Sequence, residues 1–161
     1  MDFITQLPLT NSFDTILIVV ERFSKREIFI PAYGTITALD LAQIFINHVF
    51  SKNGLPASTV SDRGPSFVSS IWTQLCQKLK ISRDLLTSFN HETNGWTERV
   101  NQILGQYLWM YVSYHQDDWH TCPHLAEFAY NNAEYSSTKQ SSFFIIYGRN
   151  PTFESIHISQ D

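Results

Sequence analysis

The chain has 161 residues, of which 43% are hydrophobic and 14% aromatic; this supports one folded domain with a sizeable core and excludes a disordered chain. Its formal net charge is −4, with only 11 Lys and Arg, which lacks the basic footprint of a stand-alone DNA-binding module. The two cysteines form no disulfide framework, no apolar run approaches a membrane span, and no signal peptide is recognisable, so we expect an intracellular protein without membrane contact.

The first third of the chain predicts three strands in succession. Apolar runs at 1–7, 15–20 and 26–32 have the length and composition of strands. The turn-forming sequence PLTNSFD separates the first two runs. Short connections between successive strands favour antiparallel pairing, so this part of the sequence predicts an antiparallel meander.

The middle of the chain alternates between helix and strand patterns. Thr37 with Asp40 three residues later predicts a helix N-cap, and this helix would continue to Gly54. Its apolar face comprises Leu41, Phe45 and Val49. The run 58–61 predicts a fourth strand that places Asp62 at its carboxyl end. A second amphipathic helix carries Val68, Ile71, Trp72, Leu75 and Leu79. A fifth strand is predicted over 82–86.

The second half of the chain predicts a loop followed by helices. Residues 87–95 are polar and turn-rich, and we expect a mobile loop there. The next helix has an apolar stripe at i, i+3, i+4, i+7 spacing, made of Val100, Ile103, Leu104, Tyr107, Leu108, Tyr111 and Val112. Further helices are predicted over 117–130 and 141–147. Strands first and then alternating elements predict one α/β domain, residues 1–161, around a mixed sheet.

Three carboxylates stand where these elements begin or end: Asp2, Asp62 and Glu98. Carboxylates delivered by separate elements can converge on hard divalent cations, which prefer oxygen ligands. In isolation each has a simpler explanation. Asp2 fits an ordinary surface charge, Asp62 a turn aspartate that bonds its own backbone, and Glu98 a first-turn residue that complements the helix dipole.

Five segments decide between a cation site and these simpler explanations. In this order along nearly the whole chain, they are MDFITQLP, DTILIVVERFSK, GLPASTVSDRGPSF, TNGWTERVNQIL and LAEFAYNNAEYSSTKQSSFFIIYGRNP. They closely resemble the catalytic core of gypsy-type retrotransposon integrases, which are relatives of the retroviral integrases. The resemblance implies a ribonuclease-H-like fold, with a five-stranded mixed sheet flanked by helices. It also implies a nuclear location.

By the same resemblance, Asp2, Asp62 and Glu98 are the catalytic residues and bind Mg²⁺ or Mn²⁺. The implied chemistry is phosphoryl transfer without a covalent intermediate. Water as nucleophile trims the 3′ ends of the element's DNA, and a 3′-hydroxyl as nucleophile joins them to target DNA. The implied partners are these two DNAs, with RNA as a further candidate, and other copies of the chain in an active complex.

Polar side chains near these carboxylates are candidates for nucleic-acid contacts: Arg63, Asn90, His91, Asn94, Arg99, Asn101 and Gln102. The alternative explanation for them is a solvated loop and helix face. The loop departs from the family, because relatives commonly read YHPQTDGQTERVNQ where this chain reads FNHETNGWTERVNQ. The glutamate is retained, whereas the residues that would position it differ.

Two rival functions follow from these departures. The family's amino-terminal zinc domain and basic carboxyl-terminal domain have no counterpart here, and we expect the first strand to be truncated. A catalytically decayed integrase remnant, which keeps the fold and weak nucleic-acid binding, is therefore the main alternative. A ribonuclease H ranks last, because it shares the fold but not a carboxylate motif of this spacing after a mobile loop.

Overall fold

In the computed structural model, residues 1–85 and 119–152 are described, and they form an α/β arrangement. The first three strands are β1 (Asp2–Ile4), β2 (Thr15–Val20) and β3 (Glu27–Ala32). They pair antiparallel in the order β1-β2-β3, which confirms the predicted meander. Strand β1 is shorter than the predicted run 1–7. Gln6 has a φ of 66°, a left-handed conformation that extended chain does not accommodate.

The first helix begins where its cap was predicted. The Thr37 side chain accepts from the Asp40 backbone N–H, and the Asp40 side chain accepts from the Thr37 N–H, so a complete capping box is present. Helix α1 (Ala38–Ile44) continues through a π-helical segment (Phe45–Phe50) into α2 (Ser51–Asn53). Gly54 ends it with a φ of 78°, as expected of a helix C-cap.

Two strands and two short helices follow: β4 (Ser58–Ser61), α3 (Pro65–Val68), α4 (Ser70–Lys78) and β5 (Ser82–Leu85). The prediction of one helix through Val68 and Ile71 is wrong. Ser69 is extended, with ψ of 154°, and its hydroxyl caps α4 by accepting the Trp72 N–H. This break turns Val68 and Ile71 to the surface, while Trp72 is buried.

Strands β1 to β5 form a three-stranded and a two-stranded sheet, so the predicted single five-stranded sheet is not formed as such. Strands β4 and β5 pair in parallel. One hydrogen bond of 2.7 Å, from the Met1 amino group to the Val60 carbonyl, connects β1 with β4. Because β1 is only three residues long, the two strands lie side by side without a continuous ladder.

The carboxyl-terminal part is helical, with one small hairpin. A 3₁₀ turn (Trp119–Thr121) and α5 (Pro123–Asn132) occupy the region where a helix over 117–130 was predicted. Strands β6 (Glu134–Tyr135) and β7 (Gln140–Ser141) pair antiparallel. Helix α6 (Ser142–Tyr147) then confirms the predicted last helix. None of the helices in the described part of the chain is long and apolar enough to cross a membrane.

Helix α5 covers the outer edge of β3. The Glu27 N–H donates to Oδ1 of Asn131 at 2.9 Å, and the Asn131 amide donates back to the Glu27 carbonyl at 2.8 Å. Two residues on, the Phe29 N–H donates to Oε2 of Glu127 at 3.1 Å. The next outward position is Pro31, which has no N–H. Side chains of α5 therefore satisfy the backbone donors of this edge.

The β1-β2-β3 sheet buries apolar side chains on both faces. One face, which includes Leu17 and Ile30, packs against α1, α3 and α4 through Phe45, Phe67 and Trp72. On the other face, Ile16, Ile18 and Phe29 pack with Trp119, Cys122 and Ala126. Residues that alternate along one strand thus enter opposite layers, as the period of a strand requires.

Glu27 is a buried carboxyl group inside this architecture. Its side chain is fully buried, and burial raises the pKa of Glu27 to about 8, with an opposing contribution from Tyr130. The folded protein therefore holds this proton at pH values at which an unfolded chain releases it. Linkage then requires that stability fall as pH rises from the ordinary glutamate pKa towards about 8.

We predict that Glu27→Gln flattens this pH dependence. Between pH 5 and pH 8.5, wild type should lose more unfolding free energy than the variant, by a few kcal/mol (about 1.4 kcal/mol per unit of pKa difference). Urea denaturation at several pH values measures this difference. Glu134→Gln, at an exposed position, is the matched control and should follow wild type. Equal pH profiles for Glu27→Gln and wild type would contradict the prediction.

Candidate functional site

Asp2 and Asp62 lie close together where β1 and β4 meet. The amino group of Met1 donates to the Val60 carbonyl, so Asp2 lies one residue and Asp62 two residues beyond the contact. Burial raises the pKa of Asp2, and the negative charge of Asp62 adds to this rise, whereas the Phe3 N–H and the terminal ammonium oppose it. The predicted convergence of these two carboxylates is therefore found.

Burial and charge also act on the terminal ammonium. Its pKa is lowered because it is buried, while the carboxylates of Asp2 and Asp62 work in the opposite direction. The charges of both aspartates therefore act on the terminal ammonium, although Asp2 is half-buried and Asp62 is exposed. Like charges close together repel each other unless a cation lies between them.

An aromatic contact holds together the segments that carry Asp2 and Asp62. Phe3, next to Asp2, stacks on Phe67 with ring centroids 5.2 Å apart. Phe67 is fully buried and packs edge-on against Trp72 at 6.4 Å. Because α3 follows the Asp62 loop immediately, the Phe3–Phe67 contact anchors both segments in one core.

The loop after β4 holds Asp62 in a tight turn. The Gly64 N–H donates to Oδ1 of Asp62 at 3.0 Å, so the simpler explanation given for this aspartate is also correct in geometric terms. A Cβ added at Gly64 would lie 3.1 Å from that oxygen. Glycine therefore permits the close approach, a role that the sequence analysis did not identify although Gly64 lies two residues after the aspartate.

The other predicted site residues divide into two groups. Arg63 follows Asp62 and is exposed. The remaining ones lie outside the described residues: Glu98, Asn90, His91, Asn94, Arg99, Asn101 and Gln102. Within residues 1–85 and 119–152, no group of three or more His, Cys, Asp or Glu side chains could hold a metal ion. The described part of the site is thus a pair of carboxylates.

Comparison with curated proteins finds relatives over almost the whole chain. The Tf2-3 and Tf2-4 transposon polyproteins of Schizosaccharomyces pombe are each 31% identical over 158 residues, or 98% of this chain. The chain spans only 12% of the length of these polyproteins. No protein-family model matches.

Comparison with solved structures finds the same architecture in viral proteins. An intasome of simian T-cell lymphotropic virus, in complex with PP2A regulatory subunit B56 gamma, has a TM-score of 0.73 at 16% identity, over 99% of this chain and 59% of that one. The HTLV-2 integrase catalytic core domain with magnesium has a TM-score of 0.70 at 17% identity (89% and 93% covered). The BIV integrase catalytic core domain has a TM-score of 0.66 at 20% identity, over 89% of this chain and 91% of that one. These likenesses show a ribonuclease-H-like α/β fold.

The proximity of the two aspartates predicts a measurable coupling. In Asp62→Asn the pKa of Asp2 should fall, because one of its two raising causes is removed, yet burial should keep it above the ordinary value. An NMR titration of the Asp2 carboxyl carbon measures this. Asp84→Asn, an exposed aspartate on β5, is the control and should leave the titration unchanged. An Asp2 titration that Asp62→Asn leaves unaltered would refute the coupling.

Proposed function

Because this chain is homologous to retrotransposon polyproteins and has the fold of retroviral integrase catalytic cores, we propose that it is the catalytic core of a gypsy-type retrotransposon integrase. Its reaction is the processing and joining of DNA 3′ ends. The observation that carries this proposal is the proximity of Asp2 and Asp62 at the β1–β4 junction, where the charge of Asp62 adds to the rise in the pKa of Asp2.

The donor set suits a divalent cation. Both side chains offer carboxylate oxygens, the ligands that Mg²⁺ and Mn²⁺ prefer. Oδ1 of Asp2 accepts the Phe3 N–H at 2.9 Å, and Oδ1 of Asp62 accepts the Gly64 N–H at 3.0 Å. These bonds fix the orientation of the two carboxylates. Glu98 is the third ligand in this proposal, and it is carried over from the sequence resemblance.

The chain's own residues would bind and orient the reacting phosphate. Asp2 and Asp62 supply negative charge on a rigid frame, so that cation and phosphodiester are held without reorganisation at the moment of reaction. Mg²⁺ bound there would lower the pKa of the attacking oxygen and stabilise the leaving one. Arg63, exposed beside Asp62, would neutralise an adjacent phosphate in this proposal.

The remaining contacts belong to the same proposal. Asn90, His91, Asn94, Arg99, Asn101 and Gln102 would contact the DNA of the element or of the target. With 11 Lys and Arg in the chain, affinity from phosphate contacts alone should be weak and salt-dependent. A complex of several copies, working in the nucleus, would supply further contacts to DNA.

Divalent metal should stabilise the folded chain. At a Mg²⁺ concentration tenfold above its dissociation constant, preferential binding to the native state adds about 1.4 kcal/mol, or roughly 3–6 °C in Tm. Differential scanning calorimetry measures the shift, with NaCl at matched ionic strength as the blank. Asp62→Asn should lose it, whereas Asp84→Asn should retain it. A wild-type Tm that neither Mg²⁺ nor Mn²⁺ changes would count against the metal site.

Catalysis is tested by the reverse reaction, the resolution of a branched DNA that mimics the joined product. This substrate brings both reacting ends together and so demands less of other domains. Wild type should resolve it only with Mn²⁺ or Mg²⁺. Asp62→Asn and Glu98→Gln, which preserve shape but remove ligand charge, should lower the rate by at least about 100-fold. Asp84→Asn is the matched control and should not.

The same assay separates the enzyme from the decayed remnant. A wild type that is folded and binds metal, but is no faster than Asp62→Asn, would exclude catalysis by this chain. The remnant, a fold with weak nucleic-acid binding, would then replace the integrase as its function.

A further inference from the structure

Arg83 on β5 connects the two short helices that follow the Asp62 loop. Its Nη2 donates to the Phe67 carbonyl of α3 at 2.6 Å, and its Nη1 donates to the Thr73 hydroxyl of α4 at 2.6 Å. The Thr73 hydroxyl in turn donates to the Ser69 carbonyl at 2.7 Å. A planar guanidinium presents its donors in a rigid fork, so it holds two acceptors in one fixed geometry. Arg83 therefore bridges the helix break at Ser69.

The Phe67 carbonyl needs a donor from outside α3 because the helix ends there. Helix α3 has four residues, and Ser69 leaves the helical conformation with a ψ of 154°. The last carbonyls of a helix have no partner within the helix and must find one elsewhere. A guanidinium supplies a charge-assisted hydrogen bond, which is roughly twice as strong as a neutral one. Arg83 thus holds the carboxyl end of α3 in place.

Hydrogen bonds lead from this contact to the Asp62 carboxylate. The peptide group that contains the Phe67 carbonyl also contains the Val68 N–H, which donates to the Gly64 carbonyl at 3.2 Å. The Phe67 N–H donates to the same carbonyl at 3.0 Å. The Gly64 N–H then donates to Oδ1 of Asp62 at 3.0 Å. We call this path, from Arg83 through Phe67, Val68 and Gly64 to Asp62, the Arg83 relay.

The Arg83 relay restrains a side chain that is otherwise exposed. Burial restricts the Asp62 carboxylate little, whereas Phe67 is fully buried and Arg83 is half-buried. The relay therefore connects an exposed carboxylate to groups that are fixed in the core. Hydrogen bonds in a chain polarise one another, so a cation at one end strengthens the bonds that follow. Groups that lie behind a metal ligand orient it and so affect how tightly the metal binds.

We propose that Arg83 is a positioning residue of the candidate metal site: through the Arg83 relay it holds the Asp62 carboxylate in the orientation that binds the divalent cation. This inference rests on the proposed function, because the cation belongs to that function. The sign of the effect separates it from simple electrostatics. A positive charge repels Mg²⁺, so removal of the Arg83 charge alone would strengthen Mg²⁺ binding. Loss of the relay weakens it.

The test compares wild type with Arg83→Met, which keeps a long side chain but has no donor. NMR at fixed pH, well below Tm, follows the Asp62 carboxyl carbon as Mg²⁺ is added. Hydrogen exchange of the Gly64 N–H is measured without metal. In Arg83→Met the dissociation constant for Mg²⁺ should rise about tenfold. Exchange of the Gly64 N–H should accelerate about tenfold, because its hydrogen bond to Asp62 opens more often.

Thr73→Val is the matched control. It removes the hydroxyl that joins Arg83 to Ser69 but leaves the Arg83 relay intact. This variant should be less stable than wild type, yet keep its Mg²⁺ affinity and its Gly64 exchange rate. Arg83→Lys keeps the charge and one donor group but lacks the planar fork. It should raise the dissociation constant about threefold, and it carries the test if Arg83→Met does not fold.

The proposal is overturned if the folded Arg83 variant binds Mg²⁺ as tightly as wild type or more tightly, or if its Gly64 N–H exchanges at the wild-type rate. It is equally overturned if Thr73→Val weakens Mg²⁺ binding as much, since a general loosening of α3 and α4 would then explain the effect. In these cases wild type still binds Mg²⁺, and the proposed function stands. A wild type that binds no Mg²⁺ would instead refute the metal site itself, and the positioning role with it.

Discussion

The contact between Phe3 and Phe67 is the constraint on which the site depends. Neither β1 nor the short α3 could hold its position alone, because one has three residues and the other four. Their aromatic rings meet in a core that continues through Trp72 to Phe45, with centroids 5.2 Å apart in the last step. Truncating buried rings of this size typically costs about 3–5 kcal/mol. This packing therefore fixes how far apart Asp2 and Asp62 lie.

Local signals predicted much of the fold. Strands β2 and β4 have the predicted ends, and the Thr37–Asp40 capping box is present. These features were predictable because strand alternation and helix caps depend on residues that are close in sequence. The break at Ser69 was missed because Ile71 and Leu75 continue the helical period of the residues before it. The actual geometry is decided by the Ser69 hydroxyl, which caps the next helix, and by the burial of Phe67. The contact between β1 and β4 depends on residues about 60 positions apart, which periodicity does not reveal.

The site was predictable to a different extent. Asp2 and Asp62 were proposed as site residues from the sequence motifs around them, and they approach each other because the start of β1 contacts the end of β4. The role of Gly64 depends on the Asp62 carboxylate, whose Oδ1 lies 3.1 Å from where a Cβ would stand. Only the tertiary structure reveals this distance. The ring of Phe13 contacts those of Tyr33 and His120, and no spacing rule predicts a contact among residues from three separate segments. Recognition of a motif identifies candidate ligands, whereas their surroundings require the tertiary structure.

The covered edge of β3 has a consequence for association between copies of the chain. A strand with open donors recruits strands from other molecules, which leads to extended sheets and aggregation. Here Asn131 and Glu127 occupy the donors of Glu27 and Phe29, and Pro31 has none to offer. Sheet extension by a second copy is therefore blocked along this edge. A second copy of this domain would therefore have to make contact through helices, loops or other edges.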